Sequence, residues 1–186
     1  MTPDFPIRTE RLLLRPLVSE DRRDLLAYRS DPESCRYVPF PPMDLAEIDR
    51  RLAGMWSTRE LPEKAGENLT LGVELEGRIV GDVILMRPTE PEGTLELGYI
   101  FSPDVAGHGY ATEACRALLL LAFEDLRAHR VMGRLDARNA ASARVLERLG
   151  MRLEAHLVED EWFKGEWSST LVYAILDREW RSSTPR

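Results

Sequence analysis

The stretch LELGYIFSPDVAGHGYATE, residues 95–113, carries the clearest chemical signal in this sequence. An alternating apolar run enters a loop holding Gly107 and Gly109, and that loop opens a helix-forming segment. Glycines reach backbone conformations that turn several N–H groups in one direction, and a helix start adds positive potential. Such a loop can cradle a pyrophosphate without a lysine. Two other phosphate motifs are excluded: a dinucleotide fingerprint needs a third glycine where Thr112 stands, and no G-x-x-x-x-G-K-[ST] occurs. About one strand later, Asn139-Ala140-Ala141-Ser142 opens another helix, with Asn139 suited to cap it and Ser142 on its first turn. Each patch alone is common at helix starts; the pair at this separation is far more specific. His108, His129 and His156 have no ligand spacing, so no metal site is expected, and no G-x-S-x-G marks a serine hydrolase.

These patches need elements to hold them. Leucines predict a strand over residues 11–15 that Pro16 ends. Ser19 is expected to cap a helix bearing Leu25, Leu26 and Tyr28, stopped by Asp31-Pro32. Asp44 is expected to cap a second, bearing Leu45, Ile48, Leu52, Met55 and Trp56. Period-two alternation through Leu69–Leu75, Ile79–Leu85 and Leu95–Phe101 predicts a three-strand antiparallel meander, with a turn at Glu76-Gly77 and a bulge at Gly81. From Gly109 the spacing turns helical, through Ala111, Ala114, Cys115, Leu118 and Ala122. A strand over 131–135, a helix over 140–149 ended by Gly150, and strands over 152–159 and 168–176 joined by a loop at 160–167 complete the chain. The order implies a mixed α/β sheet with layered helices.

With 186 residues, 44% of them hydrophobic and 31% charged, the chain fits one globular domain over 1–186. A net charge of −7 disfavours broad binding to nucleic acid or anionic membranes. Cys35 and Cys115 suit a reducing compartment better than a disulfide scaffold. The opening MTPDFPIRTE lacks a secretory apolar core. The longest apolar run, 117–123, falls far short of the ~18 residues that suggest a membrane span. A cytoplasmic location is expected.

On RTERLLLRPL, ELGYIFSP, GHGYATEA and NAASARVLERLGM, the chain resembles the GNAT superfamily of acyl-CoA-dependent N-acyltransferases, and within it the RimJ/RimL-like protein N-terminal acetyltransferases. The resemblance covers nearly the whole chain. It implies a mostly antiparallel sheet splayed at the cofactor cleft with helices on both faces. It also implies acetyl-CoA, or another acyl-CoA such as succinyl-CoA, as co-substrate. Pyrophosphate would lie on Gly107, His108, Gly109, Tyr110, Ala111 and Thr112. Pantetheine would lie along Tyr99, Ile100 and Phe101, with Asn139 and Ser142 near the thioester. Three positions depart from the family pattern. Ala106 stands where Gln or Arg is usual, Leu146 where a tyrosine often protonates the leaving thiolate, and Met151 where phenylalanine is frequent.

The resemblance further implies that an amine attacks the thioester directly. The acceptor is a protein N-terminus or a small-molecule amine. For the base the sequence offers Glu161, in a DEWFKG segment like that of RimL-like proteins, or Glu96 beside the cofactor strand. Amides near Ile100 and Phe101 are the expected oxyanion donors. Ser142 is the expected proton donor or positioning group for the thiolate. Trp162, Phe40 and Glu161 are expected at the acceptor mouth, with Trp56 and Trp167 as further aromatic candidates and Glu159 and Asp160 lending it acidity. A homodimer is the expected assembly. The competing reading is a non-catalytic acyl-CoA-binding module of the same fold.

Overall fold

A computed structural model describes residues 4–183. Eight strands form one sheet: β1 (Ile7–Arg8), β2 (Leu13–Pro16), β3 (Asn68–Leu75), β4 (Arg78–Met86), β5 (Thr94–Phe101), β6 (Arg130–Asp136), β7 (Arg152–Phe163) and β8 (Glu166–Leu176). The helices are α1 (Arg22–Arg29), α2 (Leu45–Ala53), α3 (Tyr110–Leu120), α4 (Ala140–Arg148) and α5 (Asp177–Ser183). Strand order is β1-β2-β3-β4-β5-β6-β8-β7. Neighbours are antiparallel except β5 and β6, which run parallel for three pairs, Thr94–Arg130 to Glu96–Met132. Beyond Glu96 the two strands have no pairing.

The expected mixed fold is present, with helices on both faces. Leu69, Leu71, Leu85, Leu95 and Leu97 pack against α3 and, through Leu146 and Trp180, against α4 and α5. On the opposite face Ile79 and Ile100 pack with Leu25 and Tyr28 of α1 and Ile48 of α2. The central strands β4 and β5 serve both layers because successive side chains alternate.

Several local expectations need correction. The strand expected over 11–15 is β2 at Leu13–Pro16: Pro16 is its last residue and is itself paired, opposite Leu71. Ser19 does not cap α1: residues Ser19–Asp21 form a 3-10 turn, and the Asp21 carboxylate accepts from Val18 N (2.8 Å) and from both terminal nitrogens of Arg15. Asp44 does cap α2, accepting from Glu47 N at 2.8 Å, but the helix stops at Ala53, short of Met55 and Trp56. The bulge lies beside Gly81, leaving Val80 as the extra residue of β4. The expected loop at 160–167 is instead a hairpin that turns at Lys164-Gly165, so Glu161 sits on β7.

A buried charge cluster pins α1 to the sheet. Asp82 on β4 is 3% exposed and Arg29 4%. Arg29 donates twice to Asp82 (3.0 and 2.5 Å), and Tyr28 Oη donates at 2.6 Å. Burial and the Asp82 charge both hold the Tyr28 phenol well above its ordinary pKa. The Arg29 guanidinium also lies 4.6 Å from the Trp56 ring and 5.0 Å from that of Phe40. Removing one partner strands a buried charge, so Asp82→Ala is expected to destabilise the fold by about 3–5 kcal/mol in chemical denaturation. An unchanged midpoint would contradict this role.

Candidate active site

The site begins where β5 leaves β6. Ser102 N donates to Val80 O at 2.8 Å, toward β4. Amides two residues apart share an edge, so Ile100 N–H also turns toward β4, opposite its register partner Asp82. Tyr99 and Phe101 N–H therefore face the gap. Of the two amides expected at Ile100 and Phe101, only that of Phe101 is aimed into it; Tyr99 supplies the other.

At the end of β5 the chain passes through the turn Pro103–Val105 and enters α3 through Gly107 (φ 83°) and Gly109 (φ 81°). These left-handed conformations suit glycine, and a Cβ at Gly107 would meet nothing within 4 Å. Gly107, His108 and Gly109 N–H have no acceptor among the described residues. Thr112 Oγ1, in the first helical turn, is buried without a partner. Out-turned amides, an open side and an orphaned hydroxyl at a helix N-terminus fit a diphosphate. The Arg11 side chain braces this loop, donating to His108 O (3.0 Å) and to Glu113.

Across the gap lies α4. Asn139 Oδ1 accepts from Ser142 N at 3.1 Å, so Asn139 is the helix cap. Tyr99 Oη donates to Ser142 O at 3.2 Å and spans the distance from β5 to α4. Burial pushes the Tyr99 phenol above its ordinary range. Sequence reading used only the backbone of Tyr99. The missed signal is strand alternation, which turns its ring toward the α3–α4 layer. Leu146 is 2% exposed and packs on Gly133 of β6, just past the last β5–β6 pair. Met151 and Cys115 are core residues, at 3% and 0% exposed.

Glu96 projects to the other face of β5. Burial raises its pKa, and the Arg134 charge opposes that rise. The Arg134 guanidinium also lies 3.8 Å from Asp160. On this face a cleft of about 630 Å³ opens between the α1–α2 connection and the β7–β8 tip; its walls include Tyr37, Phe40, Arg138, Glu161, Trp162 and Lys164. Lys164 Nζ donates to the carbonyls of Cys35 and Arg36, tying the two walls together. Arg138 is held by Asp136 (2.6 Å) and Glu166 (2.5 Å). The Glu161 carboxylate has no hydrogen bond or ion pair among the described residues, while its main-chain carbonyl accepts from Ser168 Oγ at 3.4 Å.

Glu161, Trp162 and Phe40 line one cleft, and Glu96 does not line it. Trp167 stacks edge-on against Trp162 (5.5 Å) and is 58% exposed. Trp56 is 2% exposed beneath Arg29 and Arg51 and is not a wall. Among the described residues no helix is long and apolar enough to cross a membrane.

The fold is that of known acetyltransferases. Residues 11–152 match the family model described as an acetyltransferase (GNAT) domain. The uncharacterised N-acetyltransferase YnaD of Bacillus subtilis is 28% identical over 94% of this chain and 98% of its own. A GNAT-family acetyltransferase from Bacillus anthracis superposes with a TM-score of 0.82 at 28% identity, over 92% of this chain and 98% of that one. A Vibrio cholerae chain named as a candidate ribosomal-protein-serine acetyltransferase superposes with a TM-score of 0.75 at 25% identity, over 95% and 99%. The chain belongs to the GNAT family of acyl-CoA-dependent N-acetyltransferases.

Proposed function

We propose that this enzyme is RimJ/RimL-like, working as a single domain in the cytoplasm, and moves the acetyl group of acetyl-CoA to the α-amino group of a protein N-terminus. The observation that carries this reading is the placement of two half-sites on opposite faces of one parted strand. The glycine loop and Asn139 stand on the α3–α4 side; the unpaired Glu161 stands in the aromatic cleft on the α1–α2 side. An acyl-CoA on the first side and an amine on the second meet at β5.

The loop from Gly107 to Thr112 holds the diphosphate through its amides. Tyr99 and Phe101 present their amides to the pantetheine arm, with Ile100 between them turned toward β4, and Asn139 and Ser142 flank the thioester. Glu161 takes a proton from the incoming ammonium, while Trp162 and Phe40 confine it. The nitrogen then adds to the carbonyl carbon, and Phe101 and Tyr99 N–H face the developing oxyanion. Collapse breaks the carbon–sulfur bond, and the second proton of the nitrogen passes to the departing thiolate through Ser142 Oγ, which gives up one proton as it takes the other, or through a water it orients. An α-amine, with a pKa near ~7.7–8.0, needs less help than a lysine near ~10.4. A carboxylate base therefore suffices.

We also infer a homodimer, with a second copy along β7. This outermost strand is exposed on both faces and carries Leu153, Val158 and Trp162, which are 52%, 72% and 62% exposed. Light scattering is expected to give twice the chain mass; the single-chain mass would refute it.

Thiol release from acetyl-CoA tests the acceptor. A peptide with a free α-amine is expected to react, and its Nα-blocked form carrying a lysine is not; the reverse would exclude this acceptor. In the same assay Glu161→Gln is expected to lower kcat by about a hundredfold with CoA affinity kept, and an unchanged kcat would remove Glu161 as base.

Glu96 answers to a different measurement. Its raised folded pKa means the unfolded chain releases that proton first, so its carboxylate weakens the fold as pH rises past ~4.3. Glu96→Gln is expected to raise the melting temperature at pH 8 and to leave it unchanged at pH 4. A loss of stability at pH 8 would contradict this.

A further inference from the structure

The RTERL segment before β2 is far in sequence from the glycine loop, yet its Arg11 touches that loop and the helix behind it. Arg11 Nη1 donates to His108 O at 3.0 Å. Its Nε donates to Glu113 Oε2 at 2.7 Å and its main-chain N to Glu113 Oε1 at 2.8 Å. Thr9 Oγ1 also donates to Glu113, at 2.6 Å. Burial would raise the Glu113 pKa, but the hydrogen bonds from Thr9 and Arg11 outweigh it and hold the carboxyl below its ordinary range. The Arg11 guanidinium stacks 4.6 Å from the centre of the Tyr110 ring, on which His108 also stacks.

The consequence lies in one peptide plane. In a trans peptide the carbonyl and the following N–H point in opposite directions. Arg11 draws His108 C=O toward itself, so the Gly109 N–H of the same plane is aimed away from Arg11 and out of the loop. A left-handed glycine at Gly109 allows many orientations of that plane, and nothing else among the described residues bonds to His108 O. Ala106 leaves the start of the loop without a polar side chain that could fix it.

We infer that Arg11 is a positioning residue for the diphosphate of the acyl donor: it orients the His108–Gly109 peptide so that Gly109 N–H is presented to a phosphate oxygen. This rests on the acyl-CoA reading of the glycine loop. Arg11 acts through that peptide, and its charge is already balanced by Glu113 (2.6 Å). Its effect is therefore confined to donors that carry the diphosphate.

Steady-state kinetics of Arg11→Ala with acetyl-CoA and with S-acetylpantetheine, which lacks the diphosphate, separates this from a purely structural role. The KM for acetyl-CoA is expected to rise about tenfold, the loss of roughly one charge-assisted hydrogen bond. The KM values for S-acetylpantetheine and for the amine are expected to stay within about twofold. Arg11→Lys keeps the charge but cannot serve Glu113 and His108 O together, and is expected to fall between. It carries the same comparison if the alanine variant does not fold. An unchanged KM for acetyl-CoA in a folded variant, or an equal rise for both donors, would overturn the inference. Failure of the wild-type protein to bind CoA by calorimetry would overturn the acyl-CoA reading together with it.

Discussion

A strand that loses its neighbour inside a protein must find other partners for its amides and carbonyls, because buried unpaired backbone groups are costly. β5 keeps β6 for three residue pairs and then goes on alone through Phe101. On its other side it stays paired with β4 as far as Phe101 opposite Gly81, and Ser102 N still donates to Val80 O. The result is an edge held from behind by β4, with Tyr99 and Phe101 N–H directed into a gap. An extended, amide-bearing ligand arm can complete that edge as a further strand would. Everything else in the site is arranged around the opening.

The gap stays open because both sides are fixed elsewhere. Behind β5 the Asp82–Arg29–Tyr28 cluster ties the strand's neighbour to α1. Behind β6 the small Gly133 lets Leu146 settle against the sheet and brings α4 close. Tyr99 bridges to α4 at Ser142. The acceptor side is built by a different device, a hairpin tip latched by Lys164 to the α1–α2 connection. Arg138, next to the Asn139 cap, also lines that cleft, so the two half-sites are one residue apart in the chain.

Much of this was readable in the sequence, for physical reasons that differ by region. The meander and α3 follow from side-chain period alone, since their apolar residues face one or two continuous cores. The glycine loop is legible because left-handed entry to a helix demands that residue type. Residues 160–167 misled because their polar, aromatic composition resembles a loop; all but the Lys164-Gly165 turn are strand, held by the pairing of β7 with β8 rather than by burial. Ser19 misled because Asp21, already held by Arg15, serves Val18 N instead. β1, with two residues, is too short to have a period, and in the charged α5 Trp180 stacks on Phe123 while Glu179 accepts from Leu176 N. Contacts such as Arg11 on His108 are tertiary and leave no local mark.

Backbone hydrogen exchange with and without CoA tests the central claim most directly, since it reads the amides themselves. The account predicts that CoA slows exchange at Gly107, His108 and Gly109 and at Tyr99 and Phe101, with little change in β2 and β3. Protection absent from these amides while CoA is bound, or confined to another part of the sheet, would contradict it.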